Sequence, residues 1–489
     1  MSQIKSVIKS SALYTILGFM PAAANFVMVP LLTEYLSTEE YGLLSVSSIF
    51  QSFIGVFMIL GMDAALSRFY FRYYKKRKLL HALYSTGIIF ILLLAVIIFL
   101  VLLLFGDFGL QLLFKNDRFH FFDYGLPSFF EAVPTVLYLI MLAYYRNEEN
   151  VKMYALLSIM SLLAIVSGVL IGVVYLGMGA YGNILGKAVG MCLMTCIYLF
   201  FFYWKKPIIF RFKSLKPLLN YGLPFVPYFL LLFANSNLNK WIMEREFSLD
   251  ELGQYNFAFQ LASLCSVFTY AVYNAIGPRV YKLMSEDESG YKNESAIANL
   301  LKLFHIIVVF VVVSEIALIA PVTEFIVTNP DYLNILNFVN FLIVMWLVHM
   351  YYMLYSIPLM FFNKTKLLPV ITLIGFIIGI SANFALIPIW GIIGVCASAI
   401  IIKFTISIAS YWFGKQQKVF HAEYYQLGKN HVLAIIVFAS ILVSYWLGTQ
   451  LDKRWFYLIN MLPIVVFGIV FLLFFGKDFK TVLNSFRRK

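Results

Sequence analysis

Apolar residues run along this chain in long continuous stretches, interrupted by short charged groups or by Gly, Pro and Asn. A helix that crosses a bilayer needs about 20 such residues, and about 14 stretches reach that length. The spans they predict are 11–32, 41–62, 82–105, 124–145, 154–176, 182–203, 218–238, 255–278, 303–327, 333–361, 367–388, 392–413, 431–449 and 455–475. Strict alternation of apolar and polar positions, the mark of a membrane barrel strand, is absent from these runs. The pattern therefore predicts an all-α integral membrane protein with little chain left over for a soluble domain.

Composition agrees: 62% of the 489 residues are hydrophobic, only 12% are charged, and mean hydropathy is +0.86. Soluble domains sit near about 45–50% apolar. The net charge of +13 reports either an anionic partner or membrane topology, and the position of the charges decides. One set of alternate loops holds about 29 Lys and Arg, including the run Lys75, Lys76, Arg77 and Lys78. The other set holds about six: Lys115, Arg118, Lys240, Arg245, Lys453 and Arg454. The basic loops and both termini are thus expected in the cytoplasm, and most of the excess charge is topology. It calls for no nucleic-acid partner. The amino-terminal stretch has a basic start but a long apolar run without a small-residue cleavage site, and reads as a retained helix. Cys192, Cys196, Cys265 and Cys396 lie inside apolar runs and read as small buried hydrophobes. The sequence asks for no cofactor and no metal.

An internal repeat organises the spans. LLTEYLSTEEYGLLS from Leu31 matches IMEREFSLDELGQYN from Ile242 at a shift of 211, placing Ser37 on Ser248, Glu40 on Glu251 and Gly42 on Gly253. Independently, LGMGAYGNILG from Leu176 matches PIWGIIGVCAS from Pro388, placing Gly179 on Gly391 and Gly182 on Gly394 at a shift of 212. Six spans per repeat is an even number, so the two copies would be parallel, with a substrate site between them. The expected organisation is a six-helix lobe over 1–213, a second over 214–425, and two additional helices over 426–489.

The segments PLLTEYLSTEEYGLLSV, LGMDAALSRFYF, LLNYGLPFVPYFL, DELGQYNFAFQLAS and ANFALIPIWGIIGVCASA carry a family likeness. In this order and spacing the chain resembles the polysaccharide transporter family, the Wzx-type lipid-linked oligosaccharide flippases of the multidrug/oligosaccharidyl-lipid/polysaccharide exporter superfamily. The resemblance covers about residues 5 to 413. It implies two lobes around a central cavity, alternating access, and export of an undecaprenyl-diphosphate-linked oligosaccharide across a bacterial cytoplasmic membrane. It also implies membrane lipids, a polysaccharide polymerase and other assembly proteins as partners. Two departures stand out. Relatives often carry an acidic residue before Arg where this chain has Asn239 and Lys240, and the arginines of the lipid II flippases' first helix have no counterpart here.

Several residues could serve transport. The second span places Ser45, Ser48, Ser52 and Gly55 in a small polar stripe leading to Asp63. The eighth places Asn256, Gln260, Ser263, Tyr270 and Asn274 on one face, in register with that stripe. Such residues either let helices pack closely or line a cavity, and the amides and tyrosine favour a cavity. Charges inside spans cost a few kcal/mol each and normally face a polar interior. Lys187 and Lys403 lie one turn apart on equivalent helices; they contact an anionic diphosphate or sugar acid, or else pair with a carboxylate or snorkel to an interface. Glu131, Glu315 and His349 are candidates for a coupling proton, against a purely structural role. Pro21 and Pro30 in the first span, and Pro224 and Pro227 in the seventh, are expected to bend their helices. The two additional helices are either lipid-facing filler or a greasy groove for a polyprenyl tail, as the resemblance to lipid II flippases implies.

The competing classes are weaker. A membrane glycosyltransferase or polymerase needs polar catalytic loops that the short exterior loops do not supply, so no enzyme is expected. A multidrug exporter of the same superfamily is the nearer alternative, and would favour an acidic cavity for organic cations.

Overall fold

The computed structural model describes residues 17, 26–204, 206–286, 293–417, 419, 427–450 and 455–487. Among them there is no strand, and 13 helices are long and apolar enough to cross a membrane. The first expected span, 11–32, with Pro21 and Asn25, lies almost wholly outside the described residues. The other expected spans fall on helices, although some are divided, 218–238 and 255–278 each between two.

The chain packs as two compact units divided between Phe257 and Ala258. The first contains α1 (Val29–Tyr35), α2 (Thr38–Ile59), α3 (Met62–Tyr73), α4 (Arg77–Leu113), α5 (Leu126–Asn147), α6 (Val151–Val169), α7 (Gly179–Tyr203), α8 (Phe212–Gly222) and α9 (Val226–Glu246). The helix α10 (Leu249–Ala262) begins in it. The second contains α11 (Leu264–Ser285), α12 (Glu294–Ile326), α13 (Val339–Phe361), α14 (Leu367–Trp390), α15 (Ile392–Gln416), α16 (Gly428–Gln450), α17 (Phe456–Asn460) and α18 (Leu462–Arg487). This packing boundary does not coincide with the expected boundary at 213/214. Contacts described below hold α8, α9 and the start of α10 against the first unit.

Glycine sets the closest of these contacts. On the α6 side, Ala164, Gly168 and Gly172 recur every four residues; on α7, so do Gly182, Gly186 and Gly190. Gly168 lies against the Gly186 backbone, Gly172 against Gly182, and Gly190 against Ala164, with no room for a Cβ at any of the glycines. Small residues at this spacing let two membrane helices touch backbone to backbone. The approach continues past Val169 because the helix carries on as a π-turn over Leu170–Tyr175.

The two repeat landmarks share their local geometry. Ser37 Oγ accepts the Glu40 N–H at 3.2 Å while the Glu40 carboxylate accepts the Ser37 N–H at 3.0 Å. Ser248 and Glu251 form the same reciprocal cap, at 3.2 and 3.1 Å. Gly179 and Gly391 both take positive φ, +57° and +55°, at the start of α7 and α15. Glu40 also accepts the Ala180 N–H at 3.1 Å, so one carboxylate closes the first turns of α2 and α7. The capped ends of α2 and α10 then meet: Gly42 faces the Leu249 backbone, Gly253 faces that of Thr38, and Thr38 Oγ1 donates to Asp250.

Prolines act at element junctions as well as inside helices. Pro224 sits in the 3-10 turn Leu223–Phe225 and Pro227 in the first turn of α9, so together they separate α8 from α9. Pro30 is in the first turn of α1. Where α2 ends, Leu60 and Gly61 both have positive φ, 41° and 72°, and the chain turns into α3 with Gly61 pressed on the Gly222 backbone.

The loop after α4 is strapped to the end of α9. Glu244, 5% exposed, accepts the backbone N–H groups of Lys115 and Asn116 at 2.8 and 2.7 Å. Trp241 donates its indole N–H to the Leu113 carbonyl at 2.7 Å. In the second unit, the additional helices are tied by Asn340 to Asn460 at 3.1 Å and Ser444 to the Ile459 carbonyl at 2.6 Å.

Two tests follow from this packing. Replacing Gly186 by Leu forces α6 and α7 apart and is expected to cost at least about 1–3 kcal/mol, read as a lower thermal midpoint in detergent. Gly109, with open space around it, tolerates Ala without change. Glu244→Ala is expected to release the Lys115 and Asn116 amides, at about 1–3 kcal/mol, read as about ten-fold or greater faster hydrogen exchange in the 114–118 segment.

Candidate functional site

Within the first unit, α2, α5 and α7 bring together Gln51, Glu131 and Lys187. Glu131, on the α5 turn before Pro134, faces the Gln51 side chain as its hydrogen-bond partner, with the Lys187 ammonium within electrostatic reach. All three are half-buried. Neither Glu131 nor Lys187 joins a direct ion pair among the described residues. The cluster is anchored by Ser47 and Ser128, whose hydroxyls meet at 2.6 Å between α2 and α5. It holds one acid and one base, and its charges balance.

The polar stripe of α2 is largely turned inward on its own helix. Ser52 is exposed, but its hydroxyl donates to the Ser48 carbonyl at 2.7 Å, and Ser48 donates to that of Ser45 at 2.7 Å. Such back-bonding is how an intrahelical serine is satisfied in an apolar setting. The buried Ser45 hydroxyl has no partner. Asp63 lies beyond the Leu60–Gly61 turn in α3, half-buried, with one carboxylate oxygen buried and without a hydrogen bond. On α9, Asn239 is buried and Lys240 half-buried.

The face expected along the eighth span is divided. The helix breaks at Ser263, whose N–H is shared between the Phe259 and Gln260 carbonyls, and α11 starts at Leu264. Asn256 and Gln260, both half-buried, belong to α10. Tyr270, 37% exposed, and the exposed Asn274 belong to α11. Beside this break, Glu315 of α12 meets the start of α11. Its carboxylate faces the Cys265 N–H and thiol.

In the second unit, α11, α13 and α15 bring together Tyr270, His349 and Lys403. The Tyr270 hydroxyl lies 3.4 Å from His349 Nε2, and the buried Nδ1 of His349 has no partner. Lys403 is half-buried within electrostatic reach of that imidazole. No carboxylate pairs with Lys403 among the described residues. The two intramembrane lysines thus differ: Lys187 has an acid beside it, whereas Lys403 has the His349 imidazole.

Beside this cluster, α13, α14, α15 and α16 enclose a groove of about 390 Å³. Its walls include Phe341, Trp390, Ile400, Phe438, Leu442 and Tyr445. Among the described residues no group of three or more His, Cys, Asp or Glu could hold a metal ion.

Sequence reasoning missed Gln51 and a second polar cluster. His305 Nε2 and His431 Nδ1 both meet the Tyr351 hydroxyl, at 2.9 and 3.1 Å, joining α12, α13 and α16. Gln51 sits between the stripe positions Ser48 and Ser52, on the flank of that stripe, three residues after Ser48 and four before Gly55. The three residues of the second cluster are separated by dozens of positions, and only packing unites them.

Comparison with known proteins agrees with this architecture. The structure is similar to that of the lipid II flippase MurJ in its inward closed conformation, with TM-score 0.72 and 17% identity, covering 96% of this chain and 99% of that one. It is also similar to a multidrug resistance MATE family transporter of the MOP superfamily in an inward-facing conformation. There the TM-score is 0.68 and the identity 15%, covering 81% of this chain and 94% of that one. At such identities the likeness carries the fold alone. A protein of the Lsg locus of Haemophilus influenzae is 25% identical over 292 residues, 57% of this chain and 67% of that one. The family model described as polysaccharide biosynthesis protein matches residues 7–284, more than half of the chain. This protein therefore belongs to the polysaccharide biosynthesis protein family.

Proposed function

We propose that the protein is a flippase that moves an undecaprenyl-diphosphate-linked oligosaccharide across the bacterial cytoplasmic membrane by alternating access. The oligosaccharide would be a capsule, O-antigen or exopolysaccharide repeat unit, and both termini lie in the cytoplasm. The observation that carries this reading is Lys403: a half-buried ammonium with no described acid partner, next to Tyr270 and His349. An unpaired cation held inside a membrane protein is costly unless an anion completes it. A diphosphate supplies that anion, with Tyr270 and His349 in reach to hydrogen-bond its oxygens or the sugar hydroxyls. An organic cation would be repelled. Lys187, already balanced by Glu131, plays the lesser part.

The apolar groove beside α16 supports the same reading, since a polyprenyl chain needs a dry, oily path while its headgroup travels through a polar one. Glu131 and Glu315 remain the acids available to a coupling proton, each held by a neighbouring helix. A polymerase and other assembly proteins would take up the delivered units.

Cells relying on this protein for surface polysaccharide provide the test. At normal protein levels, Lys403→Ala is expected to reduce export at least about ten-fold, Lys403→Arg to retain most of it, and Lys187→Ala to reduce it less. Full export by Lys403→Ala would remove the role assigned to this lysine.

A further inference from the structure

Between α7 and α8 the chain forms a strap over 206–211, outside any helix, at the Lys/Arg-rich end of the first unit. Its backbone is fastened to α4. His81 Nε2 meets the Pro207 carbonyl at 2.9 Å, Ser85 Oγ accepts the Ile209 N–H at 2.9 Å, and Thr86 Oγ1 accepts the Arg211 N–H at 3.2 Å. Ser85 and Thr86 are fully buried, so the polar edge of the strap is spent on α4.

Along this strap exposed side chains stand on either side of the half-buried Ile209. These are Ile208 and Phe210, and Phe212 follows at the start of α8; Ile208 and Phe212 are each 73% exposed. They continue an exposed apolar surface formed by Phe200, Phe201 and Trp204 at the end of α7. Between them stand Lys206, Arg211, Lys213 and Lys216, all exposed. From Trp204 to Gly222 there is no Asp or Glu, so nothing in the segment neutralises these charges. Helix α8 buries Ser214, Leu215 and Leu218 and leaves its lysines outside. Neighbouring α3 adds exposed Phe71 and Arg72, with exposed Lys75 just beyond its end, and is locked to α8 by the Gly61–Gly222 contact and by Arg68, 4.3 Å from the Tyr221 ring centroid.

Large apolar side chains pinned outward by a fixed backbone would be poorly placed in water, and basic residues interleaved with them would be poorly placed in hydrocarbon. The boundary of a bilayer leaflet accommodates both. We propose that the strip from Lys206 to Lys216 is a binding surface for anionic, phosphate-bearing lipid headgroups at the inner leaflet. Ile208 and Phe212 enter the acyl boundary, and Lys206, Arg211, Lys213 and Lys216 reach the phosphates. Bulk anionic phospholipid and a polyprenyl diphosphate present the same chemistry to these cations. The surface does not depend on which substrate is transported.

Native mass spectrometry of the full chain, with phosphatidylglycerol, phosphatidylcholine and undecaprenyl diphosphate as probes, tests this surface. The variant K206Q/R211Q/K213Q/K216Q changes only exposed side chains, and an unchanged thermal midpoint verifies its fold. Each basic residue near an anionic surface contributes about five-fold, so a loss of at least about ten-fold is expected for an anionic probe, with phosphatidylcholine unaffected. Loss of phosphatidylglycerol identifies bulk phospholipid as the source, loss of undecaprenyl diphosphate identifies the carrier, and loss of both shows that the strip reads the net negative charge of either headgroup. I208S/F212S is expected to weaken all three probes. Wild-type binding of both anionic probes by the quadruple variant overturns the proposal.

Discussion

Helices in a bilayer gain little by burying apolar side chains against one another, because lipid is as apolar as leucine; close approach of backbones is one of the few forces left. In the first unit glycine supplies it three times over. Gly168, Gly172, Gly182, Gly186 and Gly190 seat α6 on α7, Gly42 and Gly253 seat α2 on the start of α10, and Gly61 and Gly222 seat α3 against α8. Where backbones touch, helix positions have little freedom, and the polar side chains between them inherit fixed neighbours. Gln51 and Glu131 meet where the Ser47 and Ser128 hydroxyls join α2 to α5, and Lys187 reaches them from α7, the helix that these glycines seat on α6.

A carboxylate completes several of these junctions. Glu40 caps α2 and α7, Glu251 repeats the cap on α10, Glu244 gathers the loop after α4, and Glu315 meets the start of α11 beside the break at Ser263. These four acids serve backbone N–H groups, three of them at helix starts and one in the loop after α4. Lys403 is the contrast, an intramembrane charge that no described acid balances, and the function is argued from that asymmetry.

Much of the fold was legible because the bilayer imposes it. Span lengths follow from membrane thickness, so the expected ranges fall on the helices of the described residues. The paired helix starts were legible because capping chemistry is local: Ser37 with Glu40 and Ser248 with Glu251 are three residues apart, and a helix start needs nothing more distant. Gly179 and Gly391 were visible for the same reason, each being required by a positive φ. The break at Ser263 was not legible, since no Pro or Gly marks it and its stabiliser, Glu315, lies on another helix. Nor could periodicity separate Lys187 from Lys403. They occupy related positions on equivalent helices, and only packing places Glu131 beside one and His349 beside the other.

In the proposed function the polar clusters would serve the charged headgroup and sugars of a lipid-linked glycan, and the oily groove its hydrocarbon tail. The most direct measurement is transport by the purified protein in sealed vesicles, offered either an undecaprenyl-diphosphate-linked oligosaccharide or a lipophilic organic cation. Translocation of the glycolipid well above protein-free vesicles, with no efflux of the cation, is the expected result. Robust cation efflux with no movement of several different lipid-linked oligosaccharides would contradict it.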